Sequence, residues 1–194
     1  MDLTKEFEDK YLGEFVEIDA QLLRIDCNVP ATGRVALCGG YLRDVFFQLK
    51  QPKDWDFAFT SMDLTEFLEV LRQYRARSPY PVTVEDKTKH GHYDEATGGG
   101  RILCVLGVKE IRPGGYIRDM DWILYAADIK GVMDRLDYCV NKFTASYDAE
   151  FKMSIQWHGA EWGVCQRNAE SAITPDRATR FENIANTIGW EYRG

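Results

Sequence analysis

The sequence predicts an α+β fold, a small mixed sheet flanked by helices with one further short helix near the C-terminus. Two observations lead there. Strand-like and helix-like segments alternate at first, and later strand-like segments follow one another directly. Some stretches carry apolar residues three and four apart, whereas shorter ones alternate residue by residue.

Leu3, Phe7, Tyr11, Phe15, Ile18, Leu22 and Ile25 recur at helical spacing and predict a helix over residues 3–25. Asn28, Pro30 and Gly33 break the chain. Residues 34–38 read as a short apolar strand, 41–49 as a helix, and Gln51-Pro52-Lys53 as its end. Asp54 to Thr60 alternates acidic with aromatic or apolar residues, the mark of a half-buried strand. A helix follows over 62–77, with Asp63 as N-cap.

Strands are expected at 79–84 and 102–108, separated by a polar loop holding His90, His92 and Gly98-Gly99-Gly100. His90-x-His92 alone is too small a donor set to define a transition-metal site, and an exposed loop is the expectation. Residues 116–126 read as a strand and 128–136 as a short helix leading into 137–146. Residues 147–150 read as a hairpin turn into 151–156. Trp157-His158-Gly159-Ala160-Glu161-Trp162 is assigned to packing. Thr174 as N-cap, Pro175 at the first helical position and Gly189 as the stop define a last helix to Ile188.

The 194 residues suffice for one domain with a genuine core, or one domain and a small appendage. A hydrophobic fraction of 45% excludes a disordered chain. The net charge of −7 repels nucleic-acid backbones at long range. Arg72, Arg75 and Arg77 form a modest basic cluster, read as a solvated helix face. Five cysteines without a CxxC pair fit a reduced, cytoplasmic setting. No apolar run reaches the ~20 residues that span a bilayer, so no membrane association is expected.

The chemistry concentrates in Leu37-Cys38-Gly39-Gly40-Tyr41-Leu42-Arg43-Asp44 and Lys53-Asp54-Trp55-Asp56-Phe57. A strand ends in two glycines that open a helix. Lacking side chains, they let a phosphate approach the backbone at a helix N-terminus, where N–H groups and a partial positive charge favour anions. Asp54 and Asp56, two apart on a strand, point to one face. Both carboxylates can then reach one pair of magnesium ions, which prefer oxygen ligands and phosphates.

This order and spacing resembles the head domain of CCA-adding enzymes and bacterial poly(A) polymerases, in the polymerase-β-like nucleotidyltransferase superfamily. The pattern is Gly39-Gly40-x-x-Arg43-Asp44 followed by Asp54-x-Asp56. The resemblance implies a nucleotidyltransferase head domain over residues 1–170 and a neck-like helix over 171–194. It implies nucleotide binding by Gly39, Gly40, Arg43 and Asp44, and two Mg2+ ions held by Asp54 and Asp56. Arg135-Leu136-Asp137-Tyr138-Cys139-Val140-Asn141 is similar to a downstream family segment, which adds Arg135, Asp137 and Asn141 to the nucleotide site. Leu136 replaces that segment's second arginine. Arg177 and Arg180 match the neck helix, which adds them to the nucleotide site as contacts to a base or phosphate; the family's aspartate position holds Thr174, with Asp176 close by. A third carboxylate is implied on a later strand. Asp119 and Asp121 are the candidates, and Asp121 is favoured as catalytic third ligand because apolar neighbours flank it.

The matching motifs span about residues 34–190 and cover head and neck without a tRNA-gripping body and tail. The expected function is transfer of a nucleoside monophosphate from a nucleoside triphosphate to an acceptor hydroxyl, an RNA (tRNA) 3′ end bound weakly and salt-sensitively. The alternatives are a protein or small-molecule acceptor, and a non-catalytic nucleotide-binding module.

Overall fold

A computed structural model of the chain describes residues 1–49, 54–88, 102–171 and 173–194. The expected break at 51–53 and the loop with His90, His92 and Gly98 to Gly100 lie outside the described residues.

Among the described residues, seven strands form one mixed sheet and six α-helices flank it. The strands are β1 (Arg34–Cys38), β2 (Asp54–Thr60), β3 (Val82–Asp86), β4 (Ile102–Ile111), β5 (Ile117–Tyr125), β6 (Phe143–Tyr147) and β7 (Met153–Trp157). Their order is β3-β4-β5-β2-β1-β6-β7. β2 and β5 are parallel, and every other neighbouring pair is antiparallel. The helices are α1 (Thr4–Lys10), α2 (Leu12–Asp26), α3 (Gly40–Phe46), α4 (Leu64–Arg77), α5 (Ile129–Arg135) and α6 (Pro175–Ile188). A small parallel pair, β8 (Val164–Gln166) and β9 (Glu191–Arg193), lies apart from the main sheet.

Period-two alternation divides β2 between two environments. Trp55, Phe57 and Phe59 enter the main core with Met120 and Trp122 of β5, Phe67 and Tyr74 of α4, and Ile18 and Leu22 of α2. On the opposite face, Ala58 joins Ala36, Cys38, Val132 and Met133 in a small second cluster under α5. That face therefore has apolar cover at one end and presents Asp54 and Asp56 at the other.

Local signals were accurate at the helix ends. Asp63 accepts from the Glu66 N–H, and Glu66 reaches back to the Asp63 N–H, a complete capping box. Thr174 accepts from the Arg177 N–H, and Gly189 closes α6 in the left-handed region with φ 74°. The helix expected over 3–25 is instead broken at Tyr11, which leaves helical geometry at φ −132° and donates its hydroxyl to the Phe46 carbonyl at 2.7 Å. The strand expected at 79–84 begins at Val82, and Tyr80 lies beneath the guanidinium groups of Arg24 and Arg112. Residues 139–141 form a 3-10 turn before β6, and the β8–β9 pairing had no counterpart in the expected elements.

The tryptophan-rich segment packs, as expected. Trp157, Trp162 and Trp190 meet edge to face, with centroids 5.0–5.7 Å apart, and Phe47 of the α3 end joins them. Tyr138 stacks on Phe181 at 4.3 Å and so holds α6 against the sheet domain. All five cysteines are free thiols, four of them buried. No helix among the described residues is long and apolar enough to cross a membrane.

Candidate active site

The Gly-Gly turn and the paired aspartates meet because β1 and β2 are antiparallel neighbours. The last residue of β1, Cys38, pairs with Asp56, so Gly39 emerges beside the acidic start of β2. Gly39 adopts φ 81° and ψ −139°, a conformation open essentially to glycine alone. Its backbone lies close to the carboxylate: a Cβ built there would stand 3.6 Å from Asp56 Oδ2. Gly39 caps α3 without a side-chain hydrogen bond, and its own N–H donates to the Phe143 carbonyl at 3.0 Å.

The parallel register of β2 and β5 sets Asp54 beside Asp119 and Asp56 beside Asp121. All four share a face. Asp54 is exposed, and Asp56 and Asp121 are half-buried. Burial, then Asp121, then Asp54 push the Asp56 carboxyl up to about 7, with Lys87 opposing them. Asp119 pairs with Lys109 at 3.3 Å and is the more exposed of the two β5 carboxylates. Asp121 is the one level with Asp56. Burial and the Asp56 charge raise the neighbouring Cys38 thiol to about 12, so it stays protonated near neutral pH.

Among the described residues, no three His, Cys, Asp or Glu side chains converge closely enough to form a metal cage of their own. The donor set nonetheless fits magnesium, which is commonly held by one or two carboxylates together with substrate phosphates. Asp54 and Asp56 supply two hard oxygen donors on one face, and the raised Asp56 carboxyl marks a place where added positive charge is favourable.

The remaining expected nucleotide contacts differ in where the fold places them. Arg43 is only 3% exposed. Its Nε donates to Asp44 Oδ1 at 2.6 Å and its Nη1 donates to Asn141 Oδ1, which ties α3 to the 3-10 turn. Arg43 and Asn141, expected at the nucleotide, thus spend hydrogen-bonding capacity on each other. Asp137 is buried and accepts from Arg177 Nε, joining two further expected contacts across the α6 junction. Arg180 is exposed on α6 and, with Arg43, Asp44, Asp176 and Thr179, lines a cavity of about 760 Å³ between α3 and α6. Arg135 is exposed in the last turn of α5. Sequence reasoning missed Lys87, whose ammonium meets Asp121 at 2.6 Å, because only the register across β3, β4 and β5 brings the two together.

No protein-family model and no curated protein sequence matches the chain. Solved structures do. A CCA-adding enzyme in complex with ATP aligns with 100% of this chain and 42% of its own at TM-score 0.63 and 15% identity. The Thermotoga maritima CCA-adding enzyme complexed with tRNA aligns with 100% of this chain and 43% of its own, at TM-score 0.63 and 16% identity. A tRNA nucleotidyltransferase complexed with a primer tRNA and an incoming ATP analogue aligns with 91% and 46%, at TM-score 0.53 and 15% identity. The chain spans less than half the length of each of these structures. The likeness is one of fold: the chain has the architecture of the corresponding part of these CCA-adding enzymes.

Proposed function

We propose that the chain is a magnesium-dependent nucleotidyltransferase that moves a nucleoside monophosphate from a nucleoside triphosphate to an RNA 3′ hydroxyl, tRNA foremost. One observation carries the reading: Asp54 and Asp56 share a face of a central strand beside the Gly39-Gly40 turn, with Asp121 level with Asp56.

In the reaction, the acceptor oxygen forms a bond to the α-phosphorus, the bond from that phosphorus to pyrophosphate breaks, and the hydroxyl proton leaves to water. Asp54, Asp56 and Asp121 would hold two magnesium ions. When bound, magnesium supplies positive charge that favours the ionised acceptor hydroxyl and the departing pyrophosphate. The Gly39-Gly40 turn leaves room for the triphosphate at the start of α3. Asn141 and the Asp137–Arg177 pair border the nucleotide from the 3-10 turn and α6. Thr174 is engaged as the α6 cap, so no carboxylate stands at that position to select a base. Relaxed choice among nucleotides follows, since an incomplete hydrogen-bonding set discriminates poorly.

The net charge of −7 favours a second reading, with a protein or small-molecule acceptor in place of a polyanion. One experiment separates them. The purified protein, magnesium and each labelled nucleoside triphosphate are incubated with tRNA at low salt, and in parallel with cell extract. Labelled RNA 3′ ends are expected. Label in protein alone moves the acceptor to the second reading. Label in neither, with nucleotide still bound, leaves a non-catalytic binding module.

A further inference from the structure

Lys87 stands just past β3 at the sheet edge, yet its ammonium reaches Asp121 on β5, two strands away. Three local features allow this. The register that sets Glu85 beside Gly107, and Gly107 beside Asp121, puts Lys87 on the acidic face two residues beyond Glu85. The Lys87 N–H donates to the Val105 carbonyl at 2.9 Å and anchors the residue against β4. Gly107 leaves the path clear: a Cβ there would lie 2.5 Å from Lys87 Cε and 3.1 Å from Nζ. The lysine stem crosses β4 through the space a side chain would occupy.

The resulting pair is sheltered, with 26% of the Lys87 side chain and 14% of the Asp121 side chain exposed. Lys109 and Asp119, direct neighbours across β4 and β5, form a longer pair at 3.3 Å that is more open at 41% and 34%.

We propose that Lys87 is a built-in counter-ion of the acidic site, holding Asp121 while no metal is bound and withdrawing for Asp121 to become a ligand, and thereby setting the site's affinity for divalent ions. The inference rests on the reading of Asp54, Asp56 and Asp121 as metal ligands. The physical basis is competition. An ammonium and a divalent cation cannot occupy the same carboxylate oxygen, and three neighbouring carboxylates without a cation repel one another. A compact charge on a flexible four-carbon stem can neutralise the cluster and still swing away toward solvent.

The test is Mn2+ binding to the full chain, followed by electron paramagnetic resonance, with Mg2+ titrated calorimetrically. Lys87→Met is expected to tighten Mn2+ binding by about tenfold, because the ion no longer competes with an ammonium for the Asp121 carboxylate. Gly107→Ala should tighten it in the same direction by dislodging the lysine stem, and it serves if Lys87→Met does not fold. Asp121→Asn in the Lys87→Met background should remove the gain. Unchanged or weaker Mn2+ binding in Lys87→Met and Gly107→Ala overturns the proposal. So does loss of affinity for a non-hydrolysable triphosphate with Mn2+ binding unmoved, which would make Lys87 a phosphate contact. Failure of the underlying reading looks different: Asp54→Ala and Asp56→Ala would leave wild-type Mn2+ binding untouched.

Discussion

The two faces of β2 and β5 are built by the same residue-by-residue alternation yet meet opposite fates. One carries Trp55, Phe57, Phe59, Met120 and Trp122 into the main core. The other carries Asp54, Asp56, Asp119 and Asp121, with apolar cover from α5 only at the far end. Stability and candidate chemistry therefore sit back to back on adjacent residues. The core face gains from burial, while the acidic face holds like charges together at a cost that its partners on the outer side must offset.

That division is broken most sharply at Asp56. Asp56→Asn should lower nucleotidyl transfer by at least ~10³-fold, equivalent to about 4 kcal/mol in the barrier. The same change should raise the stability of the metal-free protein at pH 8 by about 1–3 kcal/mol, because it removes a charge that burial and two carboxylates disfavour. Activity assays and thermal melts with chelator present check the two halves. A variant that loses activity and stability together would show that Asp56 belongs to the scaffold.

Across the sheet, Trp122→Ala should do the reverse. The ring is fully buried and lies within 5.0 Å, centroid to centroid, of Phe59 and Tyr74. Its removal should cost about 3–5 kcal/mol in denaturant unfolding. Divalent-ion affinity in the folded fraction should stay as it was.

The turn joining the two worlds is the next test. Gly39→Ala forces a Cβ into a backbone conformation at φ 81° and should destabilise by about 1–3 kcal/mol. The space around it is ordinary, with Asp56 Oδ2 at 3.6 Å, so the loss would come from the backbone. A neutral result would mean that the turn relaxes and that the close approach to Asp56 is not required by the fold.

The smallest effect belongs to His158, exposed but hydrogen-bonded to Thr144 at 2.8 Å. Desolvation, followed by the nearby Met1 ammonium, lowers its pKa below the ordinary 6.5. The unfolded chain therefore takes up the proton first. The stability this group contributes is complete above about pH 6.5 and is lost as pH falls through the lowered value. His158→Gln should flatten that acid limb by only a few tenths of a kcal/mol, given solvent screening. Melts between pH 5 and pH 8 check it, and an acid limb identical in the two proteins would discard the assignment.

Residues whose roles depend on near neighbours were legible in the chain. Asp63, Thr174, Pro175 and Gly189 mark helix ends because capping is settled within a few residues. Asp54 and Asp56 were legible as one face because strand alternation needs no partner. The break at Tyr11 was not, since helical spacing continues through it and the hydrogen bond that turns the chain goes to Phe46, thirty-five positions away. The placement of Arg43 and Asn141 was only half legible. The motif named both, and their mutual hydrogen bond appears once α3 meets the 3-10 turn.

By itself, then, the sequence determined the helix caps, the alternation of β2, and the glycine turn followed by paired aspartates. Each is encoded by contacts within a few residues or by the period of a single strand. Only the tertiary structure decided that Asp121, rather than Asp119, stands level with Asp56, and that Lys87 reaches Asp121 across Gly107. Those relations are set by register between strands far apart in the chain, and a shift of one residue would turn every one of these side chains to the other face.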